Sequence, residues 1–345
     1  MNEERLLKRP LSLSKVSILS LSMGFLLILV ACGSILMGTA EISWQRILTL
    51  VRGDVEVDDF AKLILFEIRL PRILLAGFVG YALCLGGVVF QALLRNPLAD
   101  PFILGVSSGS AFGAILGIVL GFGFKLGVPA MSFAGALLTI ILLLAIGAKE
   151  MRMESSTILL TGVIINAFFT AIIMFFISVA TDAKLHSMLF WLYGDLSQTN
   201  YAHLVLIGPV LLIASIILYG FAGHLNLLTA GEETAMQLGV EVERTKIILL
   251  FVVSVVIGTV VAFSGLIGFV GLIVPHLARM TFGSDHRLLI PVASLGGASF
   301  LIAADTLART LISPSELPVG VITAFVGAPF FIYLLKKKGS QWSRS

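Results

Sequence analysis

The chain has 345 residues, 58% of them hydrophobic and only 12% charged, and its mean hydropathy is +1.04. Soluble domains carry about 25% charged residues, so composition excludes a water-soluble protein and leaves no room for a sizeable soluble domain. A net charge of +3 is too small to argue for nucleic acid, and Cys32 and Cys84 both lie inside apolar runs, as small buried thiols rather than disulfide partners or metal ligands.

A bilayer crossing takes ~20 helical residues, which gives an all-α integral membrane protein of about ten spans. Arg5, Lys8, Arg9 and Lys15 mark residues 1–16 as a cytoplasmic N-terminus by the positive-inside rule. The first span runs from about Ser17 to Gly38. Within it, Leu29-Val-Ala-Cys32-Gly is similar to a lipoprotein cleavage site, but cleavage there would leave an odd number of spans, so the span is expected to stay. Residues 39–68 mix acids and bases and form an external loop. The second span, Ile73 to Leu94, has unlike ends: Arg69-Leu-Pro-Arg72 before it and the polar turn Arg95-Asn-Pro-Leu-Ala-Asp-Pro101 after it. A lipid anchor needs neither, whereas a span whose ends each meet something specific needs both.

The third span, about Phe102 to Phe122, carries Gly105, Gly109, Gly113, Gly117 and Gly121 at intervals of four. That spacing puts them on one helix face, where missing side chains let another helix approach closely. Ser107, Ser108 and Ser110 flank the stripe, and both a polar path and simple packing fit them. The fourth span covers about Val128 to Ala148. A turn from Lys149 to Thr157 follows, with Ser155 or Ser156 placed to cap the fifth span, which ends near Ala180. Asn166 is a lone amide in that span, expected to make an interhelical hydrogen bond. Thr181 to Asn200 reads as external, with Trp191 and Tyr193 at interfacial depth. The sixth span is Tyr201 to about Phe221.

Residues 222–244 form the longest internal loop. Glu232, Ala235, Met236 and Leu238 suit a short helix stopped at Gly239. Helices that lie on lipid are rich in Lys and Arg, whereas this one carries Glu232 and Glu233, which favours a protein partner. The seventh span runs from about Thr245 to Phe263. Leu266 to Met280 covers only ~22 Å as a helix and contains Gly268, Gly271 and Pro275, the marks of a short, bent element covered by protein or water. His276 and Arg279 sit one turn apart at its inner end, with no second cluster to make a metal site. The ninth span, about Leu288 to Leu307, ends beside Asp305 and Arg309, four apart and able to pair. Val319 to Leu335 is the tenth and ends in Lys336-Lys-Lys338. Residues 17–336 thus read as a single polytopic membrane domain with a cytoplasmic tail at 337–345, and ten crossings put both termini inside.

No P-loop, H-E-x-x-H or G-x-S-x-G string occurs, and the spans lack the acidic ladder of a proton-coupled carrier. A membrane protein without its own energy source, plus an inner loop shaped for docking, points to energy delivered by a partner.

Five strings occur in order: Arg69-Leu-Pro-Arg72; Asn96-Pro-Leu-Ala-Asp-Pro101 with Leu104-Gly105; Gly231-Glu through Leu238-Gly239; Gly268-Phe-Val-Gly271-Leu-Ile-Val-Pro275-His276; and Glu316-Leu-Pro318-Val-Gly320 through Gly327-Ala-Pro329. Together they resemble the FecCD-type permeases of bacterial ABC importers for ferric siderophores, haem and cobalamin, over nearly the whole chain. The resemblance implies a type II importer permease in the cytoplasmic (inner) membrane: a homodimer with the path between its subunits, two cytoplasmic ABC ATPase subunits below and a substrate-binding protein outside. It implies no enzyme activity in this chain, no cofactor and no metal site. Arg69, Arg72 and Arg309 match arginines that pair with glutamates of the binding protein. Gly231, Glu232, Ala235, Leu238 and Gly239 match the element that docks on the ATPase. Asn96, Leu98 and Ser155 match positions that narrow the path on the inner side. Alternating access driven by ATP is the implied mechanism, with selectivity mostly in the binding protein and an iron chelate as the first expectation for cargo. An ion-coupled secondary carrier is the alternative, and the scarcity of buried carboxylates argues against it.

Overall fold

The computed structural model describes residues 12–38, 59–97, 99–100, 102, 104–147 and 155–342. All described regular structure is helical. The first helix, α1, is Leu13–Leu36, and α2 is Asp59–Lys62. A π-helical stretch, Leu63–Arg69, joins α2 to α3, Leu70–Leu93. Next come α4 (Val106–Val119), α5 (Gly127–Gly147), α6 (Ser155–Ser178), α7 (Asp182–Tyr193) and α8 (Tyr201–Gly220). The chain continues with α9 (Ala222–Ala230), α10 (Glu232–Gln237), α11 (Val242–Ser264), α12 (Val270–Phe282), α13 (His286–Thr310) and α14 (Val319–Trp342).

Seven helices are long and apolar enough to cross a membrane, and α4, α12 and the apolar part of α14 are shorter apolar helices. These account for the ten segments expected. The second span begins well before Ile73, because helix runs unbroken from Phe60 to Leu93. Its π-helical register has a local cause. Pro71 has no N–H for the carbonyl four residues back, and the wider turn absorbs the mismatch, with the Leu70 N–H donating to the Leu65 carbonyl.

The centre of the bundle is α3. Leu75, Ala76, Val79, Leu85, Val88 and Phe90 on it are wholly buried. It packs on α13, α11, α12 and α8, while α4 packs chiefly on α5, and α6 lies against α4. Small residues set the closest approaches. A methyl group on Gly80 would overlap the Gly297 carbonyl of α13, and one on Gly87 would overlap the Gly271 carbonyl of α12. By contrast α1 contacts mainly α13 and leaves most of its apolar surface outward. Cys32 is therefore exposed on α1, not buried as expected, while Cys84 is buried in α3.

The bent eighth segment is real. Gly265 (φ 66°) ends α11, Phe269 (φ 69°) starts α12, and α12 has only 13 residues. Its irregular backbone is covered by α3: the Cys84 thiol donates to the Val270 carbonyl at 3.4 Å, and the Gln91 amide reaches the Gly271 and Leu272 carbonyls at 3.4 Å.

The segment read as external between the fifth and sixth spans contains a helix, α7. Met188 is wholly buried and Trp191 is 6% exposed, so Trp191 faces protein rather than a membrane interface. Asp182, Lys184 and Asp195 make this stretch look polar, but Met188 and Trp191 lie one turn apart on an inward face.

Candidate functional site

Polar side chains gather in two places, at opposite ends of α13. At its C-terminal end, Arg72 from α3 donates to Asp305 at 3.0 Å and to Glu316 at 2.6 Å. Arg309, one turn beyond Asp305, pairs with it at 3.0 Å. Arg309 also donates to the Ser34 hydroxyl at 2.9 Å, and Arg69 donates to the Ile35 carbonyl at 2.8 Å. Ile35 lies in the last turn of α1, where free carbonyls favour a cation. The structure thus brings the three expected arginines together, but it does not leave them on the surface: Arg69, Arg72 and Arg309 are 4%, 7% and 4% exposed. Glu316 is the outward member, with its side chain 39% exposed. Sequence spacing exposed the Asp305–Arg309 pair. Arg72 joins it from 233 positions away and also binds Glu316, 244 positions from itself, a closure no local pattern signals.

At the N-terminal end of α13 stand α9 and α10. They are separated by Gly231, whose φ of 140° is open to glycine and strained for other residues. Gly239 (φ 86°) closes α10: its N–H donates to the Met236 carbonyl and the next N–H to the Ala235 carbonyl, a Schellman cap. Ala235 is wholly buried, whereas Met236 and Leu238 are 55% and 62% exposed. Two polar anchors hold the pair. Lys246 of α11, itself buried, bonds Glu232 at 2.7 Å. Asn226 of α9 donates to Asp285 at 2.9 Å and accepts from the His286 N–H at 2.9 Å.

Near this end α3 stops in a second Schellman cap, with Arg95 (φ 47°) in the place glycine prefers. Asn96 follows, half-buried, with its carbonyl accepting from Ala99 at 3.0 Å. Leu98 lies outside the described residues, as does the Ser155 side chain; the Ser155 backbone opens α6. The buried Asp100 carboxylate accepts from the Phe102 N–H at 2.8 Å. Burial pushes this carboxyl up to about 6, against the weaker opposite effect of that hydrogen bond. Arg279 donates to Gln91 at 2.8 Å, tying α12 to α3. No cluster of metal-ligating side chains occurs among the described residues.

The glycine face of α4 meets α5. A methyl on Gly109 would overlap Thr139, and one on Gly113 would overlap the Met131 carbonyl. Gly117 is looser, 3.3 Å from Met131 Cβ, and Gly105 (φ 81°) precedes the helix against Ile165 of α6. Gly121 is not part of the contact. It sits past the end of α4 at φ 81° and caps it, with no neighbour within 4 Å.

Apolar crossings around a buried central helix, with charge confined to the two ends, define a polytopic membrane protein. The chain belongs to the FecCD transport family, whose model matches residues 26–337. It is 45% identical over 282 residues to the cobalamin import system permease protein BtuC of Halobacterium salinarum, covering 82% of this chain and 76% of that one. It is 40% identical over 332 residues to the hemin transport system permease protein HmuU of Yersinia pestis, covering 94% and 97%. Among solved structures, a metal-chelate-type ABC transporter in an inward-facing conformation matches with a TM-score of 0.83 and 35% identity, over 93% of this chain and 99% of that one.

Proposed function

We propose that this chain is the permease subunit of an ATP-driven importer, and that it passes cobalamin, haem or a ferric chelate from a binding protein to the cytoplasm by alternating access. The observation that carries the reading is the α9–α10 element. It is held by polar anchors to α11 and α13, yet presents Met236 and Leu238 outward. Exposed apolar side chains on a rigidly anchored element with two acidic residues suit a protein cleft better than a lipid surface. In this reading an ATPase subunit receives α10, and both chain termini lie on that side. The dimer, the path between its subunits and the inner narrowing by Asn96, Leu98 and Ser155 belong to the same reading, as does the single membrane domain of residues 17–336. The arginine cluster lies at the opposite face, where a binding protein docks. Arg72 is already paired there, so docking exchanges a carboxylate of the partner for Glu316.

Affinity purification of the tagged chain from its own membranes tests this. An ATPase recovered one-to-one is the expected result. The chain recovered alone, under conditions that preserve other ABC complexes, would bring the ion-coupled carrier forward. That rival has little support from the spans: their buried carboxylate Asp305 is held between Arg72 and Arg309 and is poorly placed to carry protons.

A further inference from the structure

The middle of α6 carries an amide that lipid would not tolerate. Asn166 is the central residue of this 24-residue crossing, is exposed on the chain surface, and has no hydrogen-bond partner among the described residues. Among the described residues it makes no interhelical hydrogen bond. An unpaired amide in hydrocarbon costs several kcal/mol, so this face of α6 is turned to something polar. Thr170 lies one turn further on the same face. Both line a cavity of about 360 Å³ closed on its other side by α4 and by Leu192 of α7. From α4 it receives Ser107 and Ser108, and the Ser107 hydroxyl, on a residue 1% exposed, is buried without a partner. No charged residue lines the cavity.

We infer that this cavity is a contact site for the transported molecule, with Asn166 its specificity-determining residue. The inference rests on the permease reading and adds the chemistry of the cargo. Asn166 offers two donors and an acceptor, and the hydroxyls offer both roles. Apolar walls with neutral hydrogen-bonding groups accept a bulky chelate of low net charge whose rim bears amide or hydroxyl groups. A small, multiply charged oxyanion would find no counter-charge here.

The test uses the full complex of this chain with its ATPase and binding protein, in liposomes. In a Cys32→Ser, Cys84→Ala background, Asn166→Cys is exposed to a hydrophilic, membrane-impermeant methanethiosulfonate reagent, with Ile213→Cys on the exposed apolar face of α8 as the lipid-facing control. Labelling of the first and not the second is expected. Uptake of cyanocobalamin and haemin is then measured for Asn166→Leu. A fall of about fivefold with unchanged ATP hydrolysis, as for one lost hydrogen bond, and recovery in Asn166→Gln are expected. Failure to label Asn166→Cys, its shielding in a disulfide-linked dimer, or full uptake by Asn166→Leu would overturn the assignment. If Asn166→Cys labels but the unsubstituted complex shows no ATP-driven uptake of cyanocobalamin, haemin or a ferric chelate, the importer reading falls, while the water-facing cavity stands.

Discussion

Asp305 sets the electrostatics of one end of the bundle. It is 1% exposed and lies within 3.0 Å of two guanidinium groups, so removing it leaves Arg72 and Arg309 with buried charge and fewer partners. Asp305→Ala is expected to destabilise the protein by about 3–5 kcal/mol, the cost of breaking a buried pair from one side, read as a lowered unfolding midpoint in detergent. Glu316→Gln, at the outward member, should leave the midpoint nearly unchanged and alter binding-protein affinity instead. Reversal of both Arg69 and Arg72 to Glu sets buried carboxylates beside Asp305 and Glu316, so it should lower the unfolding midpoint as well as impair transport. Normal uptake in that variant would remove the docking role. Asp100 gives a pH test. Its folded carboxyl titrates at about 6, above the ordinary 3.8, so the folded state holds the proton more tightly than the unfolded chain does. Its stabilising contribution is therefore complete below 3.8 and declines as pH rises towards about 6. Unfolding midpoints of Asp100→Asn should depend less on pH across that window than those of the parent protein, and identical profiles would contradict the assignment. The i,i+4 spacing gives the Asp305–Arg309 pair, but the burial of these groups is not written in local sequence. A lone Asp in a proline turn reads as a capping residue, and only the packing around it reveals the burial.

At the scale of elements, backbone contact decides which glycines matter. Gly113→Ala drives a methyl into the Met131 carbonyl and is expected to cost about 1–3 kcal/mol, because a backbone oxygen cannot move aside as a side chain can. Gly24→Ala, on the open face of α1 with nothing within 4 Å, should be neutral or mildly stabilising. Equal unfolding midpoints for the two variants would contradict the packing of α4 on α5. The interval of four residues showed that the stripe exists, but not where it ends, because a capping glycine and a packing glycine look alike in sequence. Gly121 is the former. The reverse holds at Arg95, where a cap forms without the glycine that would announce it. Glycine did mark the end of α10 at Gly239, since the apolar pattern stops at the same residue. The π-helical stretch left no signature beyond Pro71. α7 was hidden by its charged residues, which mask two inward-facing side chains one turn apart.

For the molecule as a whole, α13 joins the two polar clusters. Its first residue bonds Asn226 of α9, and its last two turns carry Asp305 and Arg309, roughly 30 Å away along the axis. A continuous helix anchored at both ends is suited to couple events at one face to the other. Composition and span length were enough to read the ten crossings, and the bent eighth segment was legible from its glycines and proline. The tertiary polar links were not, because they join residues far apart in the chain. In the proposed importer, a partner's ATP hydrolysis drives transport through this chain. The most direct test is uptake of cyanocobalamin or haemin into liposomes holding the chain with its ATPase, with the binding protein outside. Uptake that requires ATP inside and stops when the ATPase is inactivated is the expected result. Uptake that continues without ATP and follows an imposed proton or sodium gradient would contradict it.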